Sequence, residues 1–268
     1  MKHLSSLLFA LSFITQICAQ EKTSNASSTE ELAKKLANPV SSLISVPMQS
    51  NLDYGIGSYH GSKYTVNVQP VIPIHFSAKY NLITRYVIPV VDQHDIDKEG
   101  GDQFGLSDAT VSGFFSPVQN KNGFIWGAGP AFLLPIGTND LLSTRKWAIG
   151  PTAVIIKQNN GFTYGFLVNQ LWSFAGEKER SDVDQMFFQP TLTHNWKSGA
   201  GMGVSAEMTF NWQANTTTAF IIPTVSGITK LGTQTISIAI GPRIPVAEPT
   251  GFKTDFGFRG VITFVFPK

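Results

Sequence analysis

The stretch from Phe252 to Phe266 reads as one long strand whose two faces have opposite chemistry. Phe252, Phe256, Phe258, Ile262, Phe264 and Phe266 share one parity, interrupted only by Thr254 and Gly260. Lys253, Asp255 and Arg259 share the other. Successive side chains of a strand point to opposite faces. One face is therefore as apolar as a protein core, while its reverse carries charge. If the whole chain repeats this pattern around a closed sheet, the apolar faces form a belt that lipid covers and the polar faces line an interior.

The alternation does recur. Tyr64, Val66, Val68, Pro70 and Ile72 oppose Thr65, Asn67 and Gln69, and Tyr80, Leu82, Tyr86, Ile88 and Val90 oppose Lys79, Asn81 and Arg85. Met202, Val204, Ala206, Met208, Phe210 and Trp212 oppose Gly203, Ser205, Glu207, Thr209 and Asn211. The pattern predicts strands near 50–57, 63–73, 79–91, 106–116, 123–135, 146–157, 162–174, 184–196, 200–212, 217–229, 233–244 and 252–266. Most exceed the roughly 5–6 residues of ordinary strands and match the ~9–11 of a tilted membrane strand. Every second connection is short, at 74–78, 117–122, 158–161, 197–199 and 230–232, and most of the others are longer. That asymmetry is the one expected of barrels with short periplasmic turns and longer external loops. Trp126, Trp147, Trp172, Trp196 and Trp212 all fall near strand ends on the apolar parity, where interfacial girdles place them. The pattern leaves one difficulty. Pro70, Pro89, Pro130, Pro151, Pro190, Pro223 and Pro242 sit inside predicted strands, three of them after glycine, and each removes a ladder donor.

The N-terminus sets the compartment. Lys2 and His3, an apolar run from Leu4 to Cys18 and a small residue at Ala19 read as a signal peptide over residues 1–19. The single cysteine, Cys18, leaves with it, so the mature chain has neither a disulfide framework nor a thiol nucleophile. Residues 20–49 form a polar segment in which Ser28 and Glu31 suggest a capping box and Leu32, Ala33 and Leu36 a short helix stopping near Asn38-Pro39. This helix fits either a periplasmic position or a plug. Beyond the signal no apolar run is long enough for a membrane helix, so insertion is by strands, over 50–268. A net charge of +2 gives nucleic-acid binding no support.

Catalytic and metal signals are thin. Outer-membrane lipid-modifying enzymes pair a histidine with a serine at the barrel wall; His194 has the outward parity, but no serine motif accompanies it. Asp95, Asp97, Glu99 and Gly100 resemble the start of a calcium loop, yet the twelfth position is Leu106 where a bidentate glutamate is required. The expectation is no catalytic residue, no metal and no cofactor. The inward parity is more informative. Lys79, Arg85, Glu207, Arg243, Lys253, Asp255 and Arg259 are predicted to line a lumen, either bordering a water-filled path or closing it by ion pairs.

Several short stretches resemble a known family. They are Leu32 to Pro39 leading into Ser45-Val46-Pro47-Met48-Gln49, Gln69 to Pro73, Arg85 to Pro89, Gly105-Leu106-Ser107-Asp108, Gly127 to Pro130 and Gly150-Pro151-Thr152. Together they are similar to the bacterial outer-membrane β-barrel transporters catalogued under the meta-pathway of phenol degradation, some of which carry the label neuromedin U. The resemblance implies a barrel channel for small solutes, hydrophobic or aromatic ones included, and brings no catalytic or binding residue. Phe264 and Phe266 suit the C-terminal assembly signal of such barrels, although Gly260 is displaced by one residue and Pro267-Lys268 extend beyond it.

The sequence thus predicts an all-β transmembrane antiparallel barrel of about 12 strands with a short N-terminal helix. It is expected in the outer membrane of a Gram-negative bacterium, in contact with lipid and lipopolysaccharide, and inserted by the barrel-assembly machinery. A passive, selective channel for a small-molecule solute is the leading function. The alternatives are a closed structural or adhesive barrel and, below it, a lipid-modifying enzyme.

Overall fold

The computed structural model describes residues 26–120 and 122–266; the expected signal peptide lies outside them. After helix α1 (Ala26–Leu36), the strands are β1 (Ile44–Ile56), β2 (Gly61–Val68 and Val71–His75), β3 (Tyr80–His94), β4 (Asp102–Leu106 and Ala109–Pro117), β5 (Phe124–Leu134) and β6 (Lys146–Asn159). They continue with β7 (Phe162–Gly176), β8 (Asp184–Asn195), β9 (Gly201–Asn211), β10 (Thr216–Leu231), β11 (Gln234–Ala247) and β12 (Phe256–Phe266). β2 and β4 are interrupted at Gln69-Pro70 and Ser107-Asp108, but in each both halves keep the same neighbour, β3. Consecutive strands pair antiparallel throughout, and β1 pairs with β12 from Ile44↔Phe266 to Tyr54↔Phe256. The result is a closed antiparallel barrel of twelve strands. No described helix is long and apolar enough to cross a membrane.

Two boundaries differ from the pattern reading. β1 starts at Ile44 rather than near Ser50, because Val46 and Met48 continue the alternation and pair with Phe264 and Ile262. β12 starts at Phe256 rather than Phe252, because the Glu248 carboxylate accepts hydrogen bonds from the backbone N–H and hydroxyl of Thr254 and holds that stretch in a turn. Short turns and both described chain ends share one end of the barrel, here the terminal end. The longer connections 95–101, 135–145, 177–183 and 248–255 share the other, the loop end.

The faces segregate as the alternation demands. On β12, Phe258 is 43% exposed while the adjacent Arg259 is 4% exposed. All five tryptophans are exposed and sit near strand ends, Trp126 and Trp196 at the terminal end, Trp147, Trp172 and Trp212 at the loop end. The inward face is split. Val71, Ile83, Phe114, Ile125, Val154, Ile156 and Leu167 form one apolar cluster on β2 to β7, and a smaller one of Ala131, Leu133, Ala148 and Leu171 lies nearer the loop end. β1, β9, β11 and β12 contribute most of the charged groups, joined by Lys63 on β2 and Arg85 on β3.

The ladder resolves the proline difficulty. Pro130 and Pro151 face each other across β5 and β6, and that hairpin is continuous from Phe124↔Lys157 to Leu133↔Ala148. The missing donors fall on the outer seams. β4–β5 pairing skips from Ser112↔Ala131 to Phe115↔Ala128, and β6–β7 pairing skips from Ile149↔Trp172 to Thr152↔Asn169. Pro242 and Pro190 produce the same local gaps between β10 and β11 and between β8 and β9. At three of these gaps a neighbouring carbonyl, of Gly113, Gln170 or Pro223, occupies the space a Cβ would need on Gly129, Gly150 or Gly241. A glycine before the proline lets the orphaned carbonyl settle against Cα–H, a weak but recurrent contact in sheets. Gly241→Val should therefore lower barrel stability by about 1–3 kcal/mol. Gly260→Val, with nothing within 4 Å of a new Cβ, should be tolerated. The unfolding temperature read from the gel-mobility shift of the heated barrel checks both.

Candidate functional site

Two ion pairs bridge non-adjacent strands along one wall of the lumen. The Arg243 guanidinium on β11 donates from Nη1 to both carboxylate oxygens of Asp53 on β1 at 2.6 Å. These residues are not on adjacent strands; β12 runs between them, and Gly257 is the residue that lies opposite each. A Cβ on Gly257 would collide with the Asp53 carboxylate, so the glycine is what lets the pair form. Arg243 also lies over the Phe220 ring, its Cζ 3.4 Å from the centroid, a cation–π contact. The second pair is a bidentate fork from Arg259 on β12 to Glu207 on β9 at 2.7 Å, spanning two intervening strands. Arg259 Nε further donates to Asn51 Oδ1, which ties the pair to the β1–β12 seam.

Arg85 on β3 stands apart. Its Nη2 donates to Gln69 Oε1 at 2.8 Å, and among the described residues no carboxylate lies within ion-pair distance of it. It borders a cavity of about 220 Å³ that reaches toward the terminal end. Gln69, Gln189 and Thr191 give this cavity a polar side, Val71, Ile156 and Leu167 an apolar one. The chain before β1 forms its remaining wall, from Lys35 to Leu43. That segment enters the mouth of the barrel. Val40 is buried in the apolar cluster of β2 to β7, the backbone carbonyl of Lys34 accepts from Gln158 Nε2, and Gly127 leaves room for Val40. Asn38 Oδ1 accepts from the N–H of Val40 and Ser41 Oγ from that of Leu43, so the segment has a defined turn rather than a loose path.

The loop end is pinned separately. Asp108 accepts four hydrogen bonds, from the backbone N–H groups of Gly137 and Thr144 and the hydroxyls of Ser143 and Thr144. Arg180 donates to the carbonyls of Asp140 and Ser143 and binds connection 177–183 to connection 135–145. The Arg145 guanidinium beside Asp140 holds that carboxyl below its ordinary range, and Lys146, with Ser173, does the same for Asp182. Asp102, helped by Asp92, raises His94 above the ordinary imidazole range.

Of the predicted lumen residues, Arg85, Glu207, Arg243 and Arg259 point inward. Lys79 lies exposed in the turn before β3, and Lys253 and Asp255 lie exposed in the connection before β12, so these three belong to the rims. Their parity was extended past the true strand ends. Asn51, Asp53, Lys63, Gln69 and Gln189 join the inward set; the register with β12, not the alternation, reveals the first two, while the other three lie on the polar parity of their strands. His194 packs between Phe162, at 4.4 Å between ring centroids, and Trp196, at 4.9 Å, and its Nδ1 has no hydrogen-bond partner among the described residues. In the acidic loop Asp95 accepts from Gly100 N–H and Asp97 from Gln103, and no group of three potential metal ligands forms among the described residues.

No family model matches the chain, and no curated protein matches it in sequence. Solved structures do. The fold is similar to an outer membrane channel of Pseudomonas putida F1, with a TM-score of 0.67 and 12% identity over 84% of this chain and 96% of that one. The β domain of the Bordetella autotransporter BrkA also aligns, at a TM-score of 0.45 and 9% identity over 84% of this chain and all of that one, a level that carries no weight. The first likeness shows the barrel fold.

Arg259→Met should cost about 3–5 kcal/mol by leaving the Glu207 carboxylate buried without its guanidinium, with only the Gln189 amide donating to it at 3.3 Å. Adding Glu207→Met should recover most of the loss; urea unfolding in detergent followed by tryptophan fluorescence measures both. The loop end should respond to pH in two windows. The raised His94 contributes stability that is complete below its unfolded value near 6.5 and disappears as pH rises through its higher folded value. The depressed Asp140 and Asp182 contribute stability present above about 4, lost as pH falls through their lower folded values. Hydrogen exchange corrected for intrinsic rates should thus show residues 95–101 better protected at pH 5.5 than at pH 8.5, with 135–145 unchanged.

Proposed function

We propose that the protein is a narrow, passive channel of the bacterial outer membrane for compact solutes with an apolar body. The observation that carries this reading is the cavity of about 220 Å³ between Arg85 and the inserted segment. It lies below the roughly 300–1,000 Å³ of pockets for drug-sized ligands and far from the open lumen of a general porin. A split interior, mostly apolar on β2 to β7 apart from Lys63 and Arg85 and charged on the opposite wall, suits a molecule that is neither an inorganic ion nor a lipid. The fold of the Pseudomonas putida channel agrees with it, and the resemblance to transporters catalogued under phenol degradation points to the same kind of solute. Lipopolysaccharide around the loop-end tryptophans and the assembly machinery at Phe264 and Phe266 are the proposed partners.

The chord from Arg259 to Glu207 and the insertion of Val40 also favour a second reading, a barrel that stays shut. Conductance separates the two. In planar bilayers the full chain should give small, infrequent openings. Val40→Asp, which drives a charge into the apolar cluster, and removal of residues 21–43 should each raise the open level several-fold. A barrel silent in all three forms would be a structural one.

A further inference from the structure

The charges along the lumen do not balance. Lys63, Arg85, Arg243 and Arg259 point inward from β2, β3, β11 and β12, against the carboxylates of Asp53 and Glu207. Arg243 takes up Asp53 and Arg259 takes up Glu207, both through short, well-directed bonds. Lys63 and Arg85 are left with no carboxylate within ion-pair distance among the described residues. Lys63 lies opposite Asp53 and Gln93 toward the loop end; Arg85 lies deeper, at the cavity. Arg85 spends one guanidinium nitrogen on Gln69 and borders the cavity, while the Glu207 carboxylate is held by Arg259 and Gln189. A guanidinium with a free edge matches a planar carboxylate bidentately, better than a lone ammonium would.

We infer that the channel's solute is a compact organic monocarboxylate, held with its carboxylate on Arg85 beside Gln69 and Gln189 and its body against Val71, Ile156 and Leu167. This rests on the channel reading and names its substrate class. The surroundings reject the rivals. A cation meets an excess of positive charge along the whole path. An uncharged isostere leaves the Arg85 donors unmatched, and a site built around a hydrogen-bonded group discriminates strongly against an analogue without it. Inorganic phosphate has charge for Arg85 but no apolar body to cover Val71, Ile156 and Leu167, so it forgoes the burial that an organic anion gains there. Lys63 acts as the outer step, drawing the anion in before Arg85 takes it.

Calorimetry on the full chain in non-ionic detergent tests the inference directly. Benzoate and pentanoate should bind, while benzamide, the uncharged isostere of benzoate, and inorganic phosphate should bind at least ~10-fold more weakly. Arg85→Gln should weaken benzoate at least ~10-fold, and Arg85→Lys, which keeps the charge but not the fork, should fall between. Bilayers in a salt gradient should show an anion preference that Arg85→Gln reduces. Benzamide or phosphate binding as tightly as benzoate to the native chain overturns the inference whatever the variants do, and so does benzoate binding unchanged by Arg85→Gln. Either result leaves the channel reading to be judged by conductance. Carboxylate binding by a barrel that never conducts would support the site and refute the channel.

Discussion

The bilayer offers no water to a backbone, so every strand must satisfy its donors and acceptors on another strand. The whole molecule follows from that requirement. It forces β1 to find β12, and closure in turn fixes which face of each strand meets lipid. It also makes mid-strand proline the sharpest local problem, because an orphaned carbonyl at that depth has no solvent to turn to. The chain's answer is to place Pro130 and Pro151 opposite one another, so that one hairpin keeps its bonds and two seams each give up a little. The glycine before each proline then receives the displaced carbonyl.

Lumen chemistry depends on closure as well. Asp53 and Arg243 become neighbours only because β1 returns to β12, and their bond passes over Gly257. Glu207 and Arg259 meet only because the barrel is small enough for an arginine to span the strands between. Such buried pairs contribute little net stability, since desolvating both charges offsets most of their attraction. Their consequence is geometric. They occupy Arg243 and Arg259, draw the side chains of one wall together, and leave Arg85 as the cation of the strands that borders the cavity among the described residues.

The alternation made the fold legible in the sequence: all twelve strands were visible, together with the parity of their loops and the outward tryptophans. What alternation cannot supply is where a strand stops. Lys253 and Asp255 share the parity of Arg259, yet Glu248 bends their segment into a turn, and a contact between loop residues leaves no periodic trace. Lys79 fails for the same reason at the other end. Asn51 and Asp53 were missed because the weak alternation of β1 announces no inward face, which only its register beside β12 reveals; Lys63 shares the polar parity of Thr65 and Asn67 at the start of its strand. The helix was legible and its destination was not, since a polar helix with two intrahelical ion pairs is equally content in water.

That helix connects the two ends of the argument about function. α1 carries Glu30–Lys34 and Glu31–Lys35 pairs that need no partner from the barrel and add a few tenths of a kcal/mol each to the helix. The segment that follows is different. Val40 gains an apolar neighbourhood only when inserted, roughly 1.5–3 kcal/mol for a fully buried side chain of its kind. The Gln158 bond to the Lys34 carbonyl adds about 1 kcal/mol. A hold of a few kcal/mol keeps the mouth occupied nearly all the time, and it is still small enough for thermal opening or for a solute that competes for the same apolar wall. The residues that narrow the lumen are therefore poised to respond to what passes through it.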